Sequence, residues 1–145
     1  MIGLLQRVTE ASVTVEGEIV AEIGRGILVL VGIEKSDTEA NCGKLADRLA
    51  SYRVFPDESG RMNLSVASTG GGILLVPQFT LAANTQKGTR ASFTSAAPPE
   101  TASRLFDRLV NEMQGRHPET ASGIFAADMQ VVLVNDGPVT FWLSA

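Results

Sequence analysis

Ile27-Leu28-Val29-Leu30-Val31-Gly32-Ile33 is an apolar run without alternation. A strand with one wet face alternates apolar and polar side chains, so this run reads as a central strand covered on both faces. The flanks support a sheet around it. Upstream, Ile2 to Val8 and Ser12 to Val15 are rich in β-formers, Glu16-Gly17 is a turn and Glu18 to Ile23 returns, which predicts a hairpin. Gly24-Arg25-Gly26 breaks the chain before the central run.

Downstream, Asp37 or Thr38 can cap a helix that places Cys42, Leu45, Ala46, Leu49 and Tyr52 on one face. Pro56-Asp57-Glu58-Ser59-Gly60 carries turn chemistry, and Gly70-Gly71-Gly72 precedes an apolar strand, Ile73 to Val76. That glycine run is no phosphate loop, because no Gly-Lys-Ser/Thr ending and no helix follow it. A second helix starts near Pro98-Pro99 and sets Ala102, Leu105, Phe106, Leu109, Val110 and Met113 along one stripe. It stops before His117-Pro118, since proline disfavours helix in the residue preceding it. The end of the chain reads as a strand (Val131 to Val134), a tight corner (Asn135-Asp136-Gly137-Pro138) and a strand (Val139 to Leu143). The expected architecture is a mixed α/β domain of the α+β kind over residues 1–145, with two main helices on a largely antiparallel sheet or open barrel.

With 145 residues, 44% of them hydrophobic, the chain can bury a core, and its composition is that of a soluble globular domain rather than a disordered one. No apolar run approaches the roughly 18 to 20 residues that span a bilayer, and Met1 to Val8 lacks signal-peptide features, so no membrane association and a cytoplasmic location are expected. A single cysteine, Cys42, excludes an internal disulfide and a thiolate zinc site. The net charge of −4 argues against a protein that coats nucleic acid through a broad basic surface. The charge is uneven, however. Residues 61–116 hold 6 basic and 3 acidic side chains, so Arg61, Lys87, Arg90, Arg104, Arg108 and Arg116 would form a phosphate-facing patch if folding gathered them.

Catalytic side chains are scarce. The only histidine, His117, lies at a helix end where contact with the last carbonyls is the ordinary role, so a Ser-His-Asp triad is not expected. Gly-x-Ser-x-Gly and His-Glu-x-x-His are both absent, and no metal or cofactor is expected. Two segments nevertheless break local rules. In Val76-Pro77-Gln78-Phe79-Thr80-Leu81, proline cannot extend a ladder, so the strand ends there; either Phe79 enters the core, or the N–H groups of Phe79 and Thr80 are left to cradle an oxyanion. In Asn135-Asp136-Gly137-Pro138-Val139-Thr140, Asp-Gly signals a structural turn, while a cis Gly-Pro bond would aim carbonyls at an ammonium group.

These two segments, together with Gln6-Arg7-Val8, Ala11-Ser12-Val13-Thr14-Val15, Tyr52-Arg53-Val54-Phe55, Met62-Asn63-Leu64 and Phe125-Ala126-Ala127-Asp128-Met129, run the length of the chain in an order that resembles the bacterial D-aminoacyl-tRNA deacylases, once called D-tyrosyl-tRNA deacylases. The resemblance implies a homodimer that hydrolyses the ester of D-aminoacyl-tRNA and of mischarged glycyl-tRNA, without a cofactor and without a DNA partner. It implies that Gly137-Pro138 enters the pocket of the other subunit as a chirality filter, that Met129 borders the substrate, and that Gln78, Phe79 and Thr80 line the scissile ester. It leaves Thr80 either as nucleophile or as part of a site in which the terminal 2′-hydroxyl assists; no base beside Thr80 is evident, which favours the second. Two departures stand out. Pro77 replaces the family's usual serine, and Arg90-Ala91-Ser92-Phe93 lacks the proline of Arg-Pro-Ser-Phe. Lys87 and Arg90 are the expected tRNA contacts. The alternatives are an editing deacylase for another small aminoacyl group, such as the related editing domain of archaeal threonyl-tRNA synthetases, and a non-catalytic RNA-binding module; the latter would more often show stacking aromatics.

Overall fold

In the computed structural model, which describes all 145 residues, β1 (Ile2–Val15) is a single strand that spans the sheet. Its hairpin partner β2 (Glu18–Ile23) and the central run β3 (Gly26–Gly32) lie end to end along one edge of β1, with Ala11 opposite Ile23 and Val8 opposite Gly26, and the β1–β2 register shifts by one residue between Val13 and Thr14. The turn between β1 and β2 places Glu16 and Gly17 at φ +52° and +86°, the twist that suits a two-residue hairpin. β3 continues in parallel to β6 (Gly72–Pro77), which pairs in parallel with β7 (Thr120–Ser122). The other edge of β1 is taken along nearly its whole length by β8 (Gln130–Ser144), antiparallel. A separate small hairpin joins β4 (Arg53–Pro56) to β5 (Met62–Ser65), and Asp57 organises its turn by accepting from the N–H groups of Ser59 and Arg61.

The central position of β3 is confirmed. Ile27, Val29 and Val31 pack into the larger core against the helices, and Leu28 and Leu30 face a second cluster with Val8, Val13, Leu74 and Val76. β3 and β6 approach so closely at their start that a Cβ on Gly26 would fall 1.9 Å from the Gly72 carbonyl oxygen, which is why no larger residue fits there.

Helix α1 (Glu39–Ser51) follows its cap at Thr38, whose N–H and hydroxyl both donate to Asn41 Oδ1, and it buries Cys42, Leu45, Ala46 and Leu49. Burial pushes the Cys42 thiol above its ordinary pKa, in keeping with a packing role. A one-turn helix, α2 (Val66–Thr69), closes on Gly70 at φ +67°. Helix α3 (Pro99–Arg116) opens on the expected proline and buries Ala102, Leu105, Phe106, Leu109 and Met113; burial of each large side chain in that stripe is worth about 1.5–3 kcal/mol. It ends at His117, whose Nε2 meets the Gly71 carbonyl at 2.6 Å rather than the helix's own last carbonyls. No helix is long and apolar enough to cross a membrane.

Two expectations are corrected. The segment 135–138 is not a corner between two strands. Val131–Val134 and Val139–Leu143 both pair with β1, running the same way, and the segment is a wide bulge in which Arg7 alone opposes Asp136, Gly137, Pro138 and Val139. The Asp-Gly turn signal yields because β1 already offers ladder partners to both flanks. The basic patch does not assemble either. Arg104 pairs with Glu39 at 2.6 Å, Arg108 with Glu112 at 2.5 Å, and Arg116 with Asp47 at 2.7 Å and also with Glu112. Hydrogen bonds from Arg116 and Arg108 hold the Glu112 carboxyl below the usual carboxylate range. These three guanidiniums therefore tie α3 to α1 and to itself.

Candidate active site

β6 ends at Pro77, the Gln78 N–H donates to the Val31 carbonyl at 2.7 Å, and residues Phe79–Ala82 form one 3₁₀ turn. Within that turn the first hydrogen bond runs from Leu81 N–H to the Gln78 carbonyl at 3.2 Å. The N–H groups of Phe79 and Thr80 precede it and have no partner inside the turn. Phe79 is not a core residue. It is 60% exposed, and its ring stands 5.1 Å from that of Phe93.

Gln78 and Phe79 open onto a cleft of about 790 Å³, walled by Val76, Pro77, Phe125, Met129, Val131 and the start of α3. Of the candidate residues read from the sequence, Gln78, Phe79 and Met129 thus converge on one cavity, and Thr80 sits beside them, its hydroxyl accepting from Gln78 Nε2 at 2.6 Å. No His, Asp, Glu or Cys lines this cleft; its one titratable side chain is Lys35. The Thr80 hydroxyl has the Gln78 amide as its hydrogen-bond partner. The polar groups at this edge of the cleft are that amide and the backbone N–H groups of Phe79 and Thr80. A more open groove of about 710 Å³, on the β1, β2 and β7 side, carries Glu10, Glu22 and Glu119 and would repel a polyanion. No group of three or more acidic, His or Cys side chains is arranged to hold a metal ion.

Gly137 and Pro138 are exposed, joined by a cis peptide bond, and absent from the walls of the cleft. One chain does not bring them to Gln78 and Phe79. The bulge that carries them is nevertheless well held. Arg7 Nε donates to the Asp136 carbonyl at 2.9 Å and lies 3.2 Å from its carboxylate, while Arg7 Nη1 donates to the Val54 carbonyl at 2.6 Å. Asn135 accepts from the Val139 N–H at 2.8 Å and donates to Thr140 Oγ1 at 2.9 Å, replacing ladder bonds that the bulge breaks. Gly137 adopts φ +139°, a region almost closed to other residues. Arg7, Asn135 and Phe93 lay within the quoted motifs but were assigned no role from sequence, and Lys35 was not singled out at all.

Lys87 and Arg90 lie on the exposed loop after the 3₁₀ turn, away from the cleft walls and without ion-pair partners. Cross-links between Asn84 and Ser92 narrow the base of that loop.

In this chain the cleft edged by Gln78 and Phe79 and the bulge presenting Gly137-Pro138 are thus two separate features. Comparison with known proteins gives the family. The family model described as D-Tyr-tRNA(Tyr) deacylase matches residues 4–144. The D-aminoacyl-tRNA deacylase of Methylococcus capsulatus is 62% identical over 143 residues, 99% of this chain and 94% of that protein, and that of Escherichia coli is 55% identical over 99% of each. Among solved structures, one titled c-Myc DNA Unwinding Element Binding Protein superposes with a TM-score of 0.95 at 40% identity over 100% of this chain and 99% of the other. Another, titled as a probable eukaryotic D-amino acid tRNA deacylase, shares the fold at a TM-score of 0.89 and 16% identity over 99% and 98%. The chain belongs to the D-aminoacyl-tRNA deacylase family, an enzyme family of hydrolases.

Proposed function

We propose that the protein hydrolyses the ester between a D-amino acid, or mischarged glycine, and the terminal adenosine of tRNA, in the cytoplasm where charged tRNA is made. The observation that carries the mechanism is the pair of N–H groups, of Phe79 and Thr80, at the edge of a cleft without a side-chain base. Water attacks the ester carbon with help from the vicinal 2′-hydroxyl, and the carbonyl oxygen gains negative charge opposite these donors. The C–O bond then breaks, a proton passes to the departing 3′-oxygen, and free amino acid and tRNA leave. One oxyanion donor is worth about 2.7–4 kcal/mol, enough to matter without a nucleophilic side chain.

The substrate's chirality is read by Gly137-Pro138 of the partner subunit, whose backbone carbonyls orient the α-ammonium group and leave no room for an L side chain, with Met129 bordering the pocket. The need for a second copy is supported by the sheet itself. β8 is a 15-residue edge strand whose outer side pairs with no strand, and Val132, Val134 and Trp142 are exposed along it. Long bare edges of this kind invite pairing.

The deciding experiment is hydrolysis of D-tyrosyl-tRNA and L-tyrosyl-tRNA, side by side, without added metal. Rapid loss of the D ester with the L ester intact is expected. Cleavage of both would refute the filter, and binding of tRNA without cleavage of D-tyrosyl- or glycyl-tRNA would make this an RNA-binding module. Thr80→Ala should keep kcat within about threefold of the parent, because its hydroxyl only accepts from Gln78 in an exposed pair; a drop of about 10²-fold or more in a folded variant would reinstate Thr80 in the chemistry.

A further inference from the structure

Lys35 is the one cationic side chain on the wall of the catalytic cleft, and neither the family motifs nor the oxyanion segment uses it. Its place is firmly set. The Lys35 N–H donates to the Ser95 carbonyl at 3.0 Å, Glu34 bridges Ala96, and the Ala97 N–H donates to the Ile33 carbonyl at 3.0 Å. The returning strand of the 83–98 loop therefore clamps the Lys35 backbone beside Pro98 and Pro99 at the cleft rim.

Its charge is also free. No carboxylate lies within ion-pair distance of Lys35, whereas the neighbouring Glu34 and Asp37 both face the Met1 ammonium group. The arginines of α3 are engaged elsewhere: Arg104, Arg108 and Arg116 are in ion pairs. In a chain of net charge −4 there is little long-range attraction for RNA, so an uncompensated ammonium group at the rim has outsized local weight.

We propose that Lys35 is a positioning residue that binds a phosphodiester at the 3′ end of the acceptor strand as the terminal nucleoside enters the cleft. This rests on the deacylase reading above. The ester sits by Gln78 and Phe79, so the sugar-phosphate chain must leave across the rim, where Lys35 is the only cation lining the passage. Lysine suits this task because a compact ammonium group on a flexible stem follows a mobile phosphate as a point charge and needs no fixed bidentate geometry. Lys35 takes no part in bond making or breaking.

The test compares Lys35→Ala, Lys35→Glu and Lys35→Arg with the parent on D-tyrosyl-tRNA and on 3′-D-tyrosyl-adenosine, which carries the same ester but no phosphate. With tRNA, Lys35→Glu is expected to lower kcat/KM about tenfold or more through KM with kcat nearly unchanged, and Lys35→Arg to restore most of it. The slope of log kcat/KM against log salt concentration should flatten by about 0.7 in Lys35→Ala, as for one lost single-strand phosphate contact. With the adenosine ester, all four proteins should be equal. Parental kcat/KM and salt slope for Lys35→Glu on tRNA would overturn the proposal, as would an equal loss on the phosphate-free ester. Failure of the parent protein to cleave either ester would instead bring down the deacylase reading, and the role of Lys35 with it.

Discussion

Gly137→Ala is expected to fold and to lose D-aminoacyl-tRNA hydrolysis by about 10²-fold or more, the loss that a displacement near 1 Å produces in a positioned site. An added Cβ would stand 2.6 Å from Val139 Cγ2, 3.0 Å from the Val139 nitrogen and 3.2 Å from Arg7 Nη2, at φ +139°. Something must move, and the segment that moves is the one proposed to read chirality. The strain, about 1–3 kcal/mol, is local to an exposed bulge and should leave far-UV circular dichroism unchanged. Because Gly137 lies away from its own cleft, the defect should be complemented in trans. Phe79→Pro removes one of the two N–H groups proposed to face the oxyanion, at the first position of a helical turn, where proline is tolerated, and should be inactive by itself. Mixing it with Gly137→Ala after unfolding and refolding should restore about a quarter of parental activity, since half of random dimers are mixed and each has one intact site. No recovery would mean that each chain completes its own site.

Arg7→Ala should have the second large effect, on stability and activity together. The guanidinium is only 13% exposed and serves the carbonyls of Asp136 and Val54 at once. Truncation leaves both acceptors without their donor, at about 1–3 kcal/mol each where water cannot reach them. The midpoint of urea unfolding should fall accordingly, and kcat/KM should fall further than stability explains, because the same contacts hold the Gly137-Pro138 bulge. Arg7→Lys keeps the charge but cannot span both carbonyls, so it should be intermediate. A variant with parental unfolding and parental turnover would show that Asn135, through Val139 and Thr140, holds the bulge alone.

Much of the fold was legible because it follows from local patterning. The unalternating run at 27–33 announced a strand with two covered faces, and both long helices carried their apolar stripes locally, the first with a cap at Thr38 and the second with a proline start and a stop before Pro118. The segment 76–81 was half legible. Pro77 had to end a strand, yet whether Phe79 turned inward depended on the 83–98 loop, which brings Phe93 to its ring. Lys35 carried no signal, since one lysine after a strand resembles any solvated lysine until the loop's return places it on a cleft wall.

By itself, then, the sequence determined the first hairpin, the central strand, the strand after Gly72, the two long helices, the α/β class and the two motif segments, because capping, periodicity and turn chemistry act over a few residues, while β4, β5, α2 and β7 carried no such signal. Tertiary structure alone decided three things: that 135–138 is a bulge and not a corner, that the arginines of α3 are spent on ion pairs, and that Gly137-Pro138 stands apart from its own cleft. Each turns on a partner distant in sequence, β1 across from β8 and α1 beside α3, and the choice among competing hydrogen bonds and ion pairs is made only when those partners are in place.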